Sequence, residues 1–271
     1  MNGWVYVHTL DPVLFQIGPL RIGWYGLMYA LSFLAGYALV LRDARRGAII
    51  VRELDVPSLT TYLILGVVAG GRLGWVLFYG GVGYLEEPWR VLETWKGGMS
   101  FHGGLLGVTI AFFWFARSRR ISVLSLADAV VLYVPIGLFC GRIGNFINGE
   151  LYGKPTDGTW GVVFSSDRLH VPRHPSQLYE ALLEGVVIFA ALWLQRSRGH
   201  RPGAQPALFL LLYGLARSAV EFVRLPDADI GYLWGPITMG QVLSAPMWIV
   251  GLVWLIYLMA SKPSPAPPAS R

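Results

Sequence analysis

Long apolar runs recur along nearly the whole chain, and they leave few folds open to it. A helix needs roughly 17–25 mainly apolar residues to cross the hydrocarbon core of a bilayer. Such runs lie near residues 19–41, 58–80, 101–117, 122–147, 177–195, 206–224 and 238–260. The third is the shortest and opens on the glycine-rich Ser100-Phe101-His102-Gly103-Gly104. Composition agrees: 54% of the 271 residues are apolar and only 14% are charged, where a soluble domain carries about 25% charged residues. The chain is therefore expected to be all-α, a polytopic membrane helix bundle of about seven spans forming one integral membrane domain over residues 1–260.

Basic residues set the expected orientation. The loops after the first, third and fifth spans carry Arg42, Arg45, Arg46, Arg52, Arg117, Arg119, Arg120, Arg196, Arg198 and Arg201, and the tail adds Lys262 and Arg271. The opposite loops hold Arg90, Lys96, Lys154, Arg168 and Arg173, with Arg21 at the edge of the first span. This bias places the N-terminus outside and the C-terminus in the cytoplasm. The net charge of +6 is thereby accounted for by topology, and no nucleic-acid partner is expected. Cys140 is the single cysteine, so no internal disulfide staples the outer loops. Met1–Leu20 lacks a basic n-region followed by a small-residue cleavage site, so the first span is expected to be retained. The proline-rich residues 261–271 read as a disordered cytoplasmic tail. Two outer segments, 81–100 and 148–176, exceed the length of simple turns. They are expected to form a small ordered cap, with Trp160-Gly161-Val162-Val163-Phe164 as a short strand.

Ionisable residues within spans are costly and point to function. The densest run is Gly141-Arg142-Ile143-Gly144-Asn145-Phe146-Ile147-Asn148-Gly149-Glu150, followed by Tyr152 and Gly153. Arg142 and Asn145 share a helix face, and the glycines at 141 and 144 admit a close backbone or ligand. A second set, Tyr213, Arg217, Glu221 and Arg224, stacks on one face of the sixth span. A guanidinium fork suits a phosphate, so Arg142 and Arg217 together suggest a phosphate clamp, with Glu221 orienting Arg217. The alternative is an ion pair that only holds helices together. His102 can accept a proton near neutral pH, and its small neighbours are expected to leave room for substrate. Tyr25 sits where an aromatic belt residue would also sit. In His174-Pro175-Ser176-Gln177-Leu178-Tyr179-Glu180, Pro175 and Glu180 read as helix-start signals. Arg72 and Asp128 fit helix-packing or interfacial charges, and Cys140, in an apolar helix, has no evident activation. Histidines 8, 102, 170, 174 and 200 show no metal-ligand spacing, and there is no zinc, Walker or nucleophile-elbow motif; no cofactor is expected. These features suit an enzyme, with a transporter of phospholipid or another anionic substrate as the alternative. A covalent product separates the two.

The run from Gly141 to Glu150 resembles the signature of the prolipoprotein diacylglyceryl transferase family. The similarity extends to Trp24-Tyr25-Gly26, Ser100-Phe101-His102-Gly103-Gly104, His174 to Glu180, Tyr213-Gly214-Leu215-Ala216-Arg217 through Glu221 and Arg224, and Met239-Gly240-Gln241. It covers about residues 10–260, leaving out the N-terminal leader and the tail. The resemblance implies transfer of an sn-1,2-diacylglyceryl group from phosphatidylglycerol to the lipobox cysteine of a bacterial prolipoprotein, with release of glycerol 1-phosphate. It further implies a location in the bacterial cytoplasmic membrane. By the same resemblance Arg142 and Arg217 hold phosphate, Asn145 and Glu150 share the polar site, and His102 is the essential histidine. Tyr25, Gly153, Tyr213 and Glu221 are further functional positions. Either His102 as base or the arginine field raises the thiolate fraction.

Overall fold

The computed structural model describes residues 4–18, 20–80, 83–94, 97–196, 201–226 and 231–261. The proline-rich tail expected to be disordered lies outside these residues from Lys262 onward. The chain divides into two compact units, Met1–Gly36 with Val130–Arg271, and Tyr37–Ala129.

Each expected apolar run is mainly helical, the fourth as two helices. α1 spans Trp24–Arg45, with Arg42 and Arg45 in its last turn, where cations complement the negative end of the helix dipole. α2 spans Val56–Tyr79 with a proline in its first turn, the position a missing N–H tolerates. α3 spans Phe101–Arg119 and is capped by the Ser100 hydroxyl, which accepts from the Gly103 amide. The fourth run is two helices, α4 (Val123–Val131) and α5 (Val134–Asn148), bent by 42°. Pro135 sits at the start of α5; it lacks an N–H and crowds the preceding turn, so the helix breaks there. α6 runs through Ser176–Arg196, with a π-helical stretch at Ala181–Val187. α7 is Ala204–Val220. α8, Met239–Ala260, opens with a full capping box made by Thr238 and Gln241. Among the described residues four helical stretches are long and apolar enough to cross a membrane, Trp24–Arg45, Glu53–Tyr79, Ser176–Arg196 and Met239–Ala260; the bent α4–α5 pair makes a fifth. α7 is apolar but shorter. The fold is helical and polytopic.

Short strands complete the larger unit. β1 (Trp4–His8) runs parallel to β4 (Trp160–Phe164), in register from Trp4 opposite Trp160 to His8 opposite Phe164. The strand expected at 160–164 is present, and its partner is the N-terminal leader. β2 (Val13–Ile17) pairs antiparallel with β3 (Leu20–Gly23), and β5 (Tyr232–Trp234) with β6 (Ile237–Thr238).

Large apolar side chains are exposed while ionisable ones are buried. Leu77, Phe78, Phe101 and Met259 are each more than three-quarters exposed, while Glu180, Glu184, Glu221, Asp43 and Arg72 are buried. Water would penalise that arrangement and a bilayer favours it.

In the smaller unit α2 and α3 meet along glycines. A Cβ at Gly66 would lie 2.7 Å from the Gly107 carbonyl oxygen, one at Gly70 2.7 Å from Gly107 Cα, and one at Gly74 2.6 Å from Gly103 Cα. Small residues let backbones approach and maximise dispersion contact where lipid offers no hydrophobic drive. The glycines beside His102 do not leave room for substrate as the sequence suggests, because Gly103 and Gly107 are filled by the α2 backbone. Gly107→Val is expected to destabilise this helix pair by about 1–3 kcal/mol, read as a lower unfolding midpoint in detergent. Gly137→Ala in α5, where a Cβ meets nothing within 4 Å, should leave the midpoint unchanged or raise it slightly. Equal midpoints for the two variants would show that the seam is not close-packed.

Candidate active site

The polar centre of the larger unit is assembled on a carboxylate. Glu180, fully buried in the first turns of α6, receives Arg142 Nε from α5 at 3.0 Å and Arg217 Nη1 from α7 at 2.7 Å. Arg224 Nε lies 3.8 Å from the same oxygen that Arg217 contacts. Glu184, one helical turn further along α6, takes Arg142 Nη2 at 3.3 Å. Glu221 takes Arg217 Nη2 at 2.6 Å and Arg224 Nη1 at 3.4 Å. Its other oxygen accepts the Thr238 hydroxyl at 2.6 Å. Gly240 is required here, since any Cβ would collide with the Glu221 carboxylate. Three guanidinium groups thus meet three buried carboxylates. Buried ions are tolerable only when opposite charges are brought to them.

A second cluster follows at the end of α5. Asn145 and Asn148 donate through Nδ2 to Glu150 Oε1 at 3.0 and 3.2 Å. The turn that delivers Glu150 uses left-handed backbone at Gly149 (φ 66°) and at Leu151 (φ 58°), a conformation costly for a residue with a Cβ. It is held from several sides. Gln177 Nε2 donates to the Glu150 carbonyl at 2.7 Å, the Ser176 hydroxyl to the Leu151 carbonyl at 3.0 Å, and the Ser166 hydroxyl to the Gly149 carbonyl. Tyr25, at the start of α1, reaches the same helix: a Cβ at Gly144 would lie 2.8 Å from its Cδ2. Gly141 borders open space. Tyr213 is half-buried, stacks on Phe209 and lies within electrostatic reach of Arg142 and Glu184. Gly153 is packed between the Val223 and His174 backbones and bridges to Arg224.

His102 belongs to the smaller unit. It is exposed in the first turn of α3, edge-on to Phe101 at 5.6 Å, and its imidazole has no hydrogen-bond partner among the described residues. The chain leading to it is tied down by Arg72. That guanidinium donates to the carbonyls of Val91, Gly97 and Arg90 at 2.8, 2.7 and 2.5 Å, and lies over Trp75 and Tyr84. Ser100 N adds a bond to the Gly71 carbonyl at 2.9 Å.

The structure therefore brings together Arg142, Arg217, Tyr213 and Glu221; Asn145 shares α5 with Arg142, Glu150 follows the end of that helix, and Tyr25 of α1 packs on it at Gly144. Sequence reasoning missed Glu184 altogether and read Glu180 as a helix-start signal. Both lie within a predicted span, and a carboxylate there is itself a signal.

The family model described as prolipoprotein diacylglyceryl transferase matches residues 12–257. The chain belongs to the prolipoprotein diacylglyceryl transferase family. It is 51% identical over 255 residues to the phosphatidylglycerol–prolipoprotein diacylglyceryl transferase of Solidesulfovibrio magneticus, covering 93% of this chain and 96% of that one. The protein of the same name from Geobacter sulfurreducens is 48% identical over 256 residues (94% and 98%), and that from Pseudomonas putida 47% over 262 (95% and 98%). For this diacylglyceryl transferase family member, the Gly141–Glu150 run is the segment that carries Arg142 into the ion cluster and Asn145 to Glu150.

Two predictions come from this geometry. Glu180→Gln keeps the shape but removes the shared charge. Losing one buried partner costs up to about 3–5 kcal/mol, less here because Arg142 and Arg217 each retain a second carboxylate. The unfolding midpoint in detergent should fall, and an unchanged midpoint would show that Glu180 does not organise the cluster. The second concerns the 148–176 segment, where Arg173 Nε and Nη2 donate to Asp167 at 2.6 and 2.9 Å. This holds the Asp167 carboxyl below its ordinary range. A depressed carboxyl stabilises the fold above its unfolded-state value and loses that contribution as pH falls through the folded one. Amide exchange over residues 160–174 should stay slow down to the ordinary carboxylate range and accelerate only below it. Asp167→Asn should exchange faster already at neutral pH; identical exchange in both proteins would remove the pair from the account.

Proposed function

We propose that the chain transfers the sn-1,2-diacylglyceryl group of phosphatidylglycerol to the thiol of a prolipoprotein lipobox cysteine, the first step of bacterial lipoprotein maturation. It does so in the cytoplasmic membrane, with the N-terminus outside and the C-terminus cytoplasmic. The observation that carries the chemical reading is the pair Arg142 and Arg217 held on one buried carboxylate, Glu180. The transporter alternative is set aside because the relatives are named as transferases.

The reaction forms a C–S bond at the glyceryl carbon that carries phosphate and breaks the C–O bond there. The bonding pair moves onto a phosphate oxygen and glycerol 1-phosphate leaves; the thiol proton passes to a base or to the departing phosphate. Negative charge therefore grows on phosphate as the bond breaks, and guanidinium groups already fixed in a water-poor site stabilise it without reorganising. Arg142 spends Nε and Nη2 on carboxylates, leaving Nη1 for a phosphate oxygen. Asn145 holds Glu150, whose free oxygen can accept from the headgroup glycerol hydroxyls. Tyr25 and Tyr213 each lie within electrostatic reach of Arg142, and Gly153 bridges to the Arg224 segment. A free thiol has a pKa near 8.5, so attack at neutral pH needs a proton acceptor. The family resemblance makes His102, exposed at the head of α3, the candidate acceptor, with the arginine field as the rival source of thiolate.

Purified protein with phosphatidylglycerol and a lipobox peptide should yield a diacylglyceryl mass increase on the cysteine and stoichiometric glycerol phosphate. Absence of both from folded protein would overturn the proposal. His102→Gln should lower transfer by about 10²–10⁴-fold with lipid binding retained, whereas Arg142→Ala should weaken phosphatidylglycerol binding itself. Comparable loss of lipid binding in the His102 variant would argue against the base role.

A further inference from the structure

The match to the family begins at residue 12, after β1, yet β1 delivers a buried side chain to the helix that carries Arg142 and Asn145. His8, 1% exposed at the end of β1, donates from Nε2 to the Phe146 carbonyl at 2.8 Å. That bond fixes the tautomer: Nε2 carries the hydrogen, and Nδ1 is a buried acceptor without a partner among the described residues. The same Phe146 carbonyl accepts the Gly149 amide at 3.0 Å, and the Glu150 amide caps the Asn145 carbonyl at 3.1 Å. Both lone pairs of the Phe146 oxygen are thus used, one by the chain reversal and one by His8.

The ring is wedged as well as bonded. It meets Phe146 edge-on at 5.3 Å and Phe164 of β4 at 5.2 Å. A Cβ at left-handed Gly149 would lie 3.5 Å from His8 Nδ1. The rest of β1 faces outward, Trp4 being 91% exposed, so His8 is the point at which the leader enters the interior.

We propose that His8 is a positioning residue for transfer: it locks the end of α5 and thereby sets the strained 149–151 turn that presents Glu150 to Asn145. The inference rests on the transferase reading above. Its chemistry requires one donor at the reach of Nε2. Glutamine places its amide nitrogen at about that reach, while asparagine, one methylene shorter, does not. His8→Gln should therefore retain most of the wild-type turnover. His8→Asn and His8→Phe should each lose about tenfold or more in kcat, equivalent to about 1.4 kcal/mol. KM for phosphatidylglycerol should change little, because the arginine cluster is untouched. Trp4→Ala, on the exposed side of the same strand, should match wild type.

The experiment is transfer to a lipobox peptide by full-length variants that elute as single species in detergent, with kcat and KM measured separately. Asparagine and phenylalanine variants as fast as wild type would overturn the proposal. So would equal loss in the Gln and Asn variants, which would make ring packing, not the donor, the requirement. If the phenylalanine variant does not fold, the Gln–Asn comparison decides alone. Wild-type protein without any product would instead count against the transferase reading.

Discussion

A carboxylate in an apolar span costs several kcal/mol unless cations are brought to it, and Glu180 receives guanidinium groups from separate elements. This requirement does more than stabilise. In a bilayer the apolar faces of α5, α6 and α7 gain little from one rotation over another, because lipid tails are as apolar as leucine. The ion cluster distinguishes the rotations: only one sets Arg142, Glu180, Glu184 and Arg217 against each other. The packed core of the larger unit, with Ile188 and Leu192 of α6 and Ala207 of α7 buried, is a consequence of that choice. The cluster also draws in α8, since Glu221 accepts the hydroxyl of Thr238, the residue that caps that helix.

On the proposed assignment the same arrangement prepares the site for chemistry. A free arginine in a membrane would be mobile and hydrated wherever it could snorkel, and phosphate binding would have to order it. Here the ordering cost is met during folding. Arg142 and Arg217 remain 18% and 13% exposed at the side chain while their carboxylates are fully covered or nearly so. The cations are therefore the accessible edge of the ion network, which is the polarity the proposed phosphodiester substrate needs.

Much of this was legible in the residues and some was not. The helices follow from hydropathy, since each apolar run must satisfy its own backbone. Arg142, Arg217 and Glu221 stand out as charges at helical spacing. The break in the fourth run was readable at Pro135, but the length of the run argued for one span. Glu180 was hidden by its second meaning: a glutamate in a first helical turn is a common start signal, and local sequence cannot say what faces it. Glu184 had no such disguise. His8 was beyond reach, because its partner carbonyl lies 138 positions away and backbone acceptors leave no mark in composition. Gly103 and Gly107 misled in a related way: a glycine reports that something comes close, and here it is α2 rather than substrate.

Arg72 shows why the identity of an arginine's partners matters more than its burial. It is as buried as any arginine among the described residues, but its described partners are the carbonyls of Arg90, Val91, Gly97 and Gly98 and the Tyr84 hydroxyl. Carbonyls in a fixed loop cannot move aside without breaking the loop, so this guanidinium is committed to structure. Arg142 and Arg217 are bound by carboxylates, whose planar pair of oxygens has the geometry and charge of two phosphate oxygens. On the proposed assignment, a phosphate arriving beside them meets guanidinium groups whose orientation the carboxylates have already fixed. The carboxylates that cancel the resting charge also keep such a pair from holding a second anion too tightly to release. A site that must let glycerol phosphate go after each transfer is better built on paired arginines than on free ones.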